Sequence, residues 1–247
     1  MTHTLPAPTA AARDPRPVGT VLVTGAASGL GRAVALAVAA AGGRPLLLDR
    51  VPVDPEPGLR DAPSIVTDLA DRRGSEAAIG ELVAAAGGLD GVVTAAGTDR
   101  CGAMADVAAP EWERVVGVNL LGTAAVIRAA LPSLTSNRGR IVTVASTLGL
   151  RALPDASAYC ASKFGVVGMT RALAAELAGT VGVTLLMPGG MDTAFFDGRP
   201  EQYKPGPDAQ LCDPADVAGA VLYALTRPDG CEVRELVVCA SRESSWP

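Results

Sequence analysis

The chain reads as an α/β fold, a doubly wound parallel sheet of about seven strands with helices on both faces. Three observations lead there. Short β-branched runs alternate with longer Ala-rich segments from Gly19 onward, the pattern of parallel strands joined by crossover helices. The 247 residues are 49% apolar, enough for a substantial core under one sheet. Aromatics make up only 3%, so that core packs small side chains between closely spaced helices and strands.

Taken in order, residues 20–23 read as a strand, 30–41 as a helix and 45–48 as a second strand. A third strand at 64–67 precedes a helix at 75–86, and a fourth strand at 92–95 precedes a long helix over about 110–131. The fifth strand, 140–145, is followed by a helix at 158–177. Strands at 183–187 and 235–238 complete the sheet, with a helix at about 215–225 between them. One crossover departs from the pattern. Pro52, Pro55, Pro57 and Pro63 crowd residues 51–63 and predict a loop or a single turn there rather than a helix. Residues 1–17, with Pro6, Pro8, Pro15 and Pro17, read as a disordered arm, and 18–247 as a single domain without internal repeats.

Composition excludes several function classes. The only histidine is His3, in the arm, which removes a Ser-His-Asp hydrolase and a His-ligated metal site, so no metal is expected. A formal charge of −5 without a basic run gives no reason to expect nucleic acid. The five cysteines form no C-x-x-C, and an odd number fits a reduced, cytoplasmic setting. No membrane span or export signal is expected.

Two constellations carry chemistry. Thr24-Gly25-Ala26-Ala27-Ser28-Gly29-Leu30-Gly31 follows the first strand and opens the first helix. Its glycines permit a tight turn and close approach of a pyrophosphate to the helix N-terminus. Asp49 ends the second strand, where a carboxylate can accept from an adenosine ribose and repel a 2′-phosphate. Arg50 beside it pulls toward NADP, but no basic residue lies in the glycine loop, which favours NAD. Asp68, before Leu69, suits either an adenine edge or a helix N-cap.

The second constellation is Tyr159-Cys160-Ala161-Ser162-Lys163, with Ser146 upstream. Residues i and i+4 share a helix face, so the phenol and the ammonium can converge. A neighbouring ammonium is expected to lower the phenol's pKa from about 10 toward the working range of an acid–base catalyst. Cys160 points away around the helix and reads as packing. Asn119, between Val118 and Leu120, is a poor mid-helix residue unless it has a task.

These motifs, in this order, resemble the short-chain dehydrogenase/reductase family over essentially 19–238. TGAASGLG, Asp49, Asp68-Leu69, TAAG at 94–97, Asn119, Ser146, Tyr159/Lys163 and Pro188-Gly189 with Thr193 carry the match. The resemblance implies a Rossmann-type fold and an NAD(P)(H)-dependent oxidoreductase acting on a secondary alcohol or ketone. It assigns Tyr159 as general acid/base, Lys163 as its electrostatic partner and ribose ligand, and Ser146 as the hydroxyl holding the substrate oxygen. Asn119 would hold a water in a proton relay ending near Lys163. Pro188, Gly189, Met191 and Thr193 would flank the nicotinamide end. The family commonly has Asn-Asn-Ala-Gly where this chain has Thr94-Ala95-Ala96-Gly97, so Ala95, Ala96 and Gly97 are left with backbone contacts to the cofactor.

Residues 190–214 form the expected lid, after a strand end where α/β sheets bind ligands. Phe195, Phe196 and Tyr203 either face the substrate or anchor the loop. Arg100, Cys101, Arg151 and Leu153 are further pocket candidates. The helices at 110–131 and 158–177 are apolar over more than one face, and the family pairs such helices, implying a homodimer or homotetramer. Two alternatives stand beside the dehydrogenase: an NADPH-dependent 3-oxoacyl or polyketide-type carbonyl reductase, and a non-catalytic dinucleotide-sensing protein on the same fold.

Overall fold

The computed structural model of the chain describes residues 13–243 and residue 245. Most of the expected N-terminal arm therefore lies outside the described residues. Its described end is tied to the body: the Arg16 backbone N–H donates to the Thr226 carbonyl at 3.1 Å and its guanidinium to the Arg138 carbonyl at 2.7 Å.

Seven parallel strands form one sheet: β1 (Thr20–Thr24), β2 (Arg44–Asp49), β3 (Ser64–Val66), β4 (Gly91–Thr94), β5 (Arg140–Val144), β6 (Gly182–Pro188) and β7 (Glu235–Val238). Their order is β3-β2-β1-β4-β5-β6-β7, the Rossmann-type arrangement that the sequence predicts. Side chains alternate across the sheet with period 2. Val21 and Val23 of β1 enter one core, against Val34 and Val38 of α1 (Gly29–Ala40) and Val217 and Val221 of α6 (Pro214–Leu225). Leu22 of β1 enters the opposite core, against Ile79 of α2 (Arg72–Ala86) and Val126 and Leu134 of α4 (Thr123–Ser136). All residues of β5 and β6 are buried, because helices cover both faces.

Three local features depart from the sequence reading. The 110–131 helix is in fact α3 (Ala109–Val116), one π-helical turn (Gly117–Gly122) and α4, and it runs past Pro132 to Ser136. Pro132 forfeits only its own N–H bond, and packing of Ala130 and Leu134 in the core holds the last turns together. By length and apolarity Ala109–Ser136 could cross a membrane, but half of its most apolar window is buried within the fold. Finally, α2 starts at Arg72 because Asp71, not Asp68, caps it by accepting from the Gly74 N–H at 3.1 Å. The proline-dense 51–63 segment is a loop with turns, as expected, and is pinned by buried Leu59.

Candidate active site

A cavity of about 980 Å³ opens beyond the carboxyl ends of β1, β2, β4, β5 and β6. It straddles the point between β1 and β4 where strand order reverses. Nearly every residue singled out in the sequence lines it: Gly25, Ser28, Gly29, Leu30, Gly31, Asp49, Arg50, Asp68, Leu69, Ala95, Ala96, Gly97, Ser146, Tyr159, Lys163, Pro188, Gly189, Met191 and Thr193. Asn119 does not.

The glycine loop suits an anion. A Cβ at Gly31 would fall 2.2 Å from the Gly25 carbonyl oxygen, so only glycine lets α1 begin this close to the loop. Ser28 makes no side-chain bond to the first turn of α1, and no acidic residue sits in that turn. The helix N–H groups and dipole are thus left for a phosphate. Asp49 accepts from the Ala27 N–H at 3.0 Å and the Val51 N–H at 3.2 Å, which fixes its carboxylate at the loop's edge. Asp68 lines the cavity and is not the N-cap of α2. It accepts from the Ala70 N–H at 2.9 Å and pairs with Arg114 at 2.8 Å, and both hold its carboxyl below the usual range. The Ala96 N–H donates to the Thr24 hydroxyl at 3.0 Å, so this amide braces β1 against the loop after β4.

Ser146, at the end of β5, caps a 3-10 turn (Thr147–Gly149), its hydroxyl accepting from the Leu148 N–H at 3.1 Å. That turn lies on α5 (Ser157–Glu176); a Cβ at Gly149 would come within 2.9 Å of the Lys163 carbonyl oxygen. The close approach brings the Ser146 hydroxyl beside the Tyr159 phenol, where it favours the ionised form. The Lys163 ammonium lies 5.6 Å from the Tyr159 ring centre and donates to the Val144 carbonyl at 2.9 Å.

The electrostatics correct one expectation. Burial pushes the Tyr159 phenol up to about 12, while the Ser146 hydroxyl pulls it down by a smaller amount. Burial also brings Lys163 down to about 8. Lys163 is not among the groups that shift the phenol; burial outweighs the Ser146 contribution and holds it above its ordinary value.

Asn119 works from behind the cavity wall. It sits in the π turn, 1% exposed. Its amide donates to the Thr98 carbonyl at 2.9 Å and the Ser162 hydroxyl at 3.0 Å, and its carbonyl accepts from the Thr98 N–H at 2.8 Å. Both amide hydrogens are committed, so the side chain clamps the loop after Gly97 to α5. The π turn carries this Asn out of the regular helical ladder, a common device at functional sites.

The segment expected to form a lid contains two short 3-10 turns, Ala194–Phe196 and Glu201–Tyr203. The Phe195 ring lies 5.9 Å from that of Tyr159, and Phe196 stands edge-on to Phe195 at 5.7 Å. Tyr203 is an anchor, donating to Asp155 at 3.2 Å, although it also lines the cavity. Leu153 lines the cavity and Arg151 does not. Arg100 and Cys101 line it too; Arg100 is paired with Glu111 at 3.1 Å, and burial beside Asp99 pushes the Cys101 thiol up to about 11. Cys160 is buried packing, as read.

The sequence did not point to Asp99, Arg199, Glu243 or Ser245. Glu243 accepts from the Gly190 N–H at 2.8 Å, and the Ser245 and Thr147 hydroxyls lie 2.6 Å apart, so the C-terminal segment forms one wall of the cavity. Among the described residues, no cluster of His, Cys, Asp and Glu could hold a metal.

The family model described as short chain dehydrogenase matches residues 19–204. The chain belongs to the short-chain dehydrogenase family. An uncharacterised oxidoreductase of Staphylococcus aureus strain MW2 is 34% identical over 224 residues, covering 88% of this chain and 95% of that one. Among solved structures, the alcohol dehydrogenase of the archaeon Thermococcus sibiricus, complexed with 5-hydroxy-NADP, is similar at a TM-score of 0.80 and 25% identity. The match covers 93% of this chain and 98% of that one. A short-chain dehydrogenase of Mycobacterium paratuberculosis bound to NAD is similar at a TM-score of 0.76 and 25% identity, covering 90% and 96%.

Proposed function

We propose that this member of the family is an NAD(P)(H)-dependent oxidoreductase that interconverts a secondary alcohol and a ketone. The observation that carries the reading is the meeting of Ser146, Tyr159 and Lys163 in the same cavity as the glycine loop. A bound nicotinamide supplies the hydride acceptor or donor. Ser146 holds the substrate oxygen by a hydrogen bond. Tyr159 takes the hydroxyl proton as its phenolate during oxidation, which is favoured at alkaline pH because burial raises the phenol, and as the phenol it returns the proton to the ketone oxygen during reduction. One ammonium hydrogen of Lys163 is spent on Val144, which leaves two for ribose hydroxyls facing the cavity. Asn119 keeps the loop at 97–98 in place beneath the cofactor.

NAD(H) is the favoured cofactor. The fixed Asp49 carboxylate would repel a 2′-phosphate. The NADPH reductase reading keeps one observation in its favour, since Arg50 lines the cavity beside Asp49. We infer a homo-oligomer as well. Leu121 in the π turn and Phe164 of α5 are 43% and 45% exposed, apolar surface suited to a second copy.

Titration with NADH and NADPH, followed by nucleotide fluorescence, tests the cofactor, and turnover of a panel of secondary alcohols tests the reaction. Tighter NADH binding with turnover is expected. A preference for NADPH contradicts the cofactor assignment, and binding without turnover of any panel member favours a nucleotide sensor.

A further inference from the structure

The lid meets the loop after β4 through one ion pair. Arg199 Nη2 lies 2.6 Å from Asp99 Oδ2, and the Asp99 side chain is only 6% exposed. Asp99 is held in turn by the Arg100 backbone N–H at 2.7 Å and the Cys101 thiol at 3.2 Å. The Arg199 guanidinium sits 5.0 Å from the ring centre of Phe195 and 4.6 Å from that of Phe196. Phe195 faces Tyr159. Contacts therefore run unbroken from Asp99 through Arg199 and Phe195 to the catalytic tyrosine. Breaking a pair this buried leaves a desolvated charge, so it is a strong constraint on the closed lid.

We propose that Asp99 and Arg199 are positioning residues: their ion pair latches the lid shut and sets Phe195 against Tyr159, shaping a pocket for an uncharged alcohol or ketone. The proposal rests on the alcohol–ketone reading above. Its substrate class follows from charge. The three cations of the lid and of the loop after β4 are already paired, Arg199 with Asp99, Lys204 with Glu201 at 2.9 Å and Arg100 with Glu111. To pair with any of these three, a substrate carboxylate would have to displace the present partner; a neutral substrate would not.

The pair also bears on Tyr159 electrostatically. Asp99 and Cys160 make its phenol harder to ionise, whereas Ser146 and Arg199 make it easier. On the same helix, the Lys163 ammonium is favoured by Asp99 against burial. Removing one member of the pair leaves the other acting alone on the tyrosine.

The test uses the full chain with NAD(H) and the variants Asp99→Asn, Arg199→Gln and the double. Amide exchange over 194–206 reads the latch without requiring turnover; KM and kcat are compared for neutral carbinols and hydroxy acids, and the oxidation rate is followed against pH. Each single variant should speed lid exchange and raise KM for neutral substrates about 10-fold, with a smaller effect on kcat. The double should be no worse than the poorer single. The pH profile should move down in Asp99→Asn and up in Arg199→Gln, a pair of opposite shifts that mere loosening would not give. Arg199→Gln lies in the lid and leaves the core untouched, so it carries the test if Asp99→Asn folds poorly. Unchanged lid exchange in Arg199→Gln overturns the latch. A preference for hydroxy acids that Arg199→Gln abolishes overturns the substrate class, making Arg199 an anion clamp. Faster lid exchange in an enzyme inert toward every alcohol sustains the latch and defeats the alcohol–ketone reading.

Discussion

The Lys163 ammonium stands 5.6 Å from the ring centre of Tyr159 while donating to the Val144 carbonyl at 2.9 Å. The lysine thus ties the body of α5 to the end of β5 and carries a charge into a dry site. The cost of that charge is visible in its lowered pKa, near 8.

That cost makes stability depend on pH. Between about pH 8 and its unfolded value of 10.5, Lys163 holds its proton in the unfolded chain and has lost it in the folded one. Stability from this group therefore rises with pH across that window, by about 3 kcal/mol when complete. Tyr159 acts in the opposite sense above pH 10, where the folded state keeps a proton that the unfolded state loses. Urea unfolding of the nucleotide-free protein from pH 8 to 10 should show a rise that Lys163→Met lacks. Parallel profiles for the two proteins would show that the lysine is not desolvated as described.

Gly31→Ala should leave the sheet intact and cripple the nucleotide site. The new Cβ would fall 2.2 Å from the Gly25 carbonyl oxygen, a backbone atom that cannot swing aside, so loop and helix must separate. Overpacking of this kind costs about 1–3 kcal/mol. Dinucleotide affinity, measured by fluorescence titration, should fall about 10-fold or more, since the phosphate cradle itself is displaced.

Asn119→Ala separates clamp from catalyst. It strips partners from the Thr98 N–H and carbonyl and from the Ser162 hydroxyl, behind the cavity wall. Each buried group left unsatisfied costs about 1–3 kcal/mol. A lowered Tm and faster amide exchange at 97–101 are expected together with weaker nucleotide binding. Loss of turnover with Tm, exchange and affinity unchanged would instead assign Asn119 a direct part in proton transfer.

Much of this architecture is legible because its signals are local. The β-branched runs, the glycine loop and the proline-dense 51–63 segment each dictate backbone behaviour within a few residues, and the structure follows them. The site residues on those elements arrive at one cavity because parallel strands end together. What sequence cannot show is tertiary. The Tyr159 phenol is raised because other segments bury it, against the expectation from its helical neighbour. Asp99 and Arg199 meet from loops 100 residues apart, and no spacing rule marks either. The Pro132 helix persists because core packing outweighs one missing hydrogen bond. Asp71 caps α2, a role the sequence reading offered to Asp68 three residues earlier.

The central claim is that Tyr159 moves the proton. Tyr159→Phe removes one hydroxyl and keeps the ring that packs against Phe195. With a secondary alcohol that the wild type oxidises, kcat should fall about 10²–10⁴-fold while NAD(H) affinity changes little. Turnover by Tyr159→Phe at close to the wild-type rate would contradict the account.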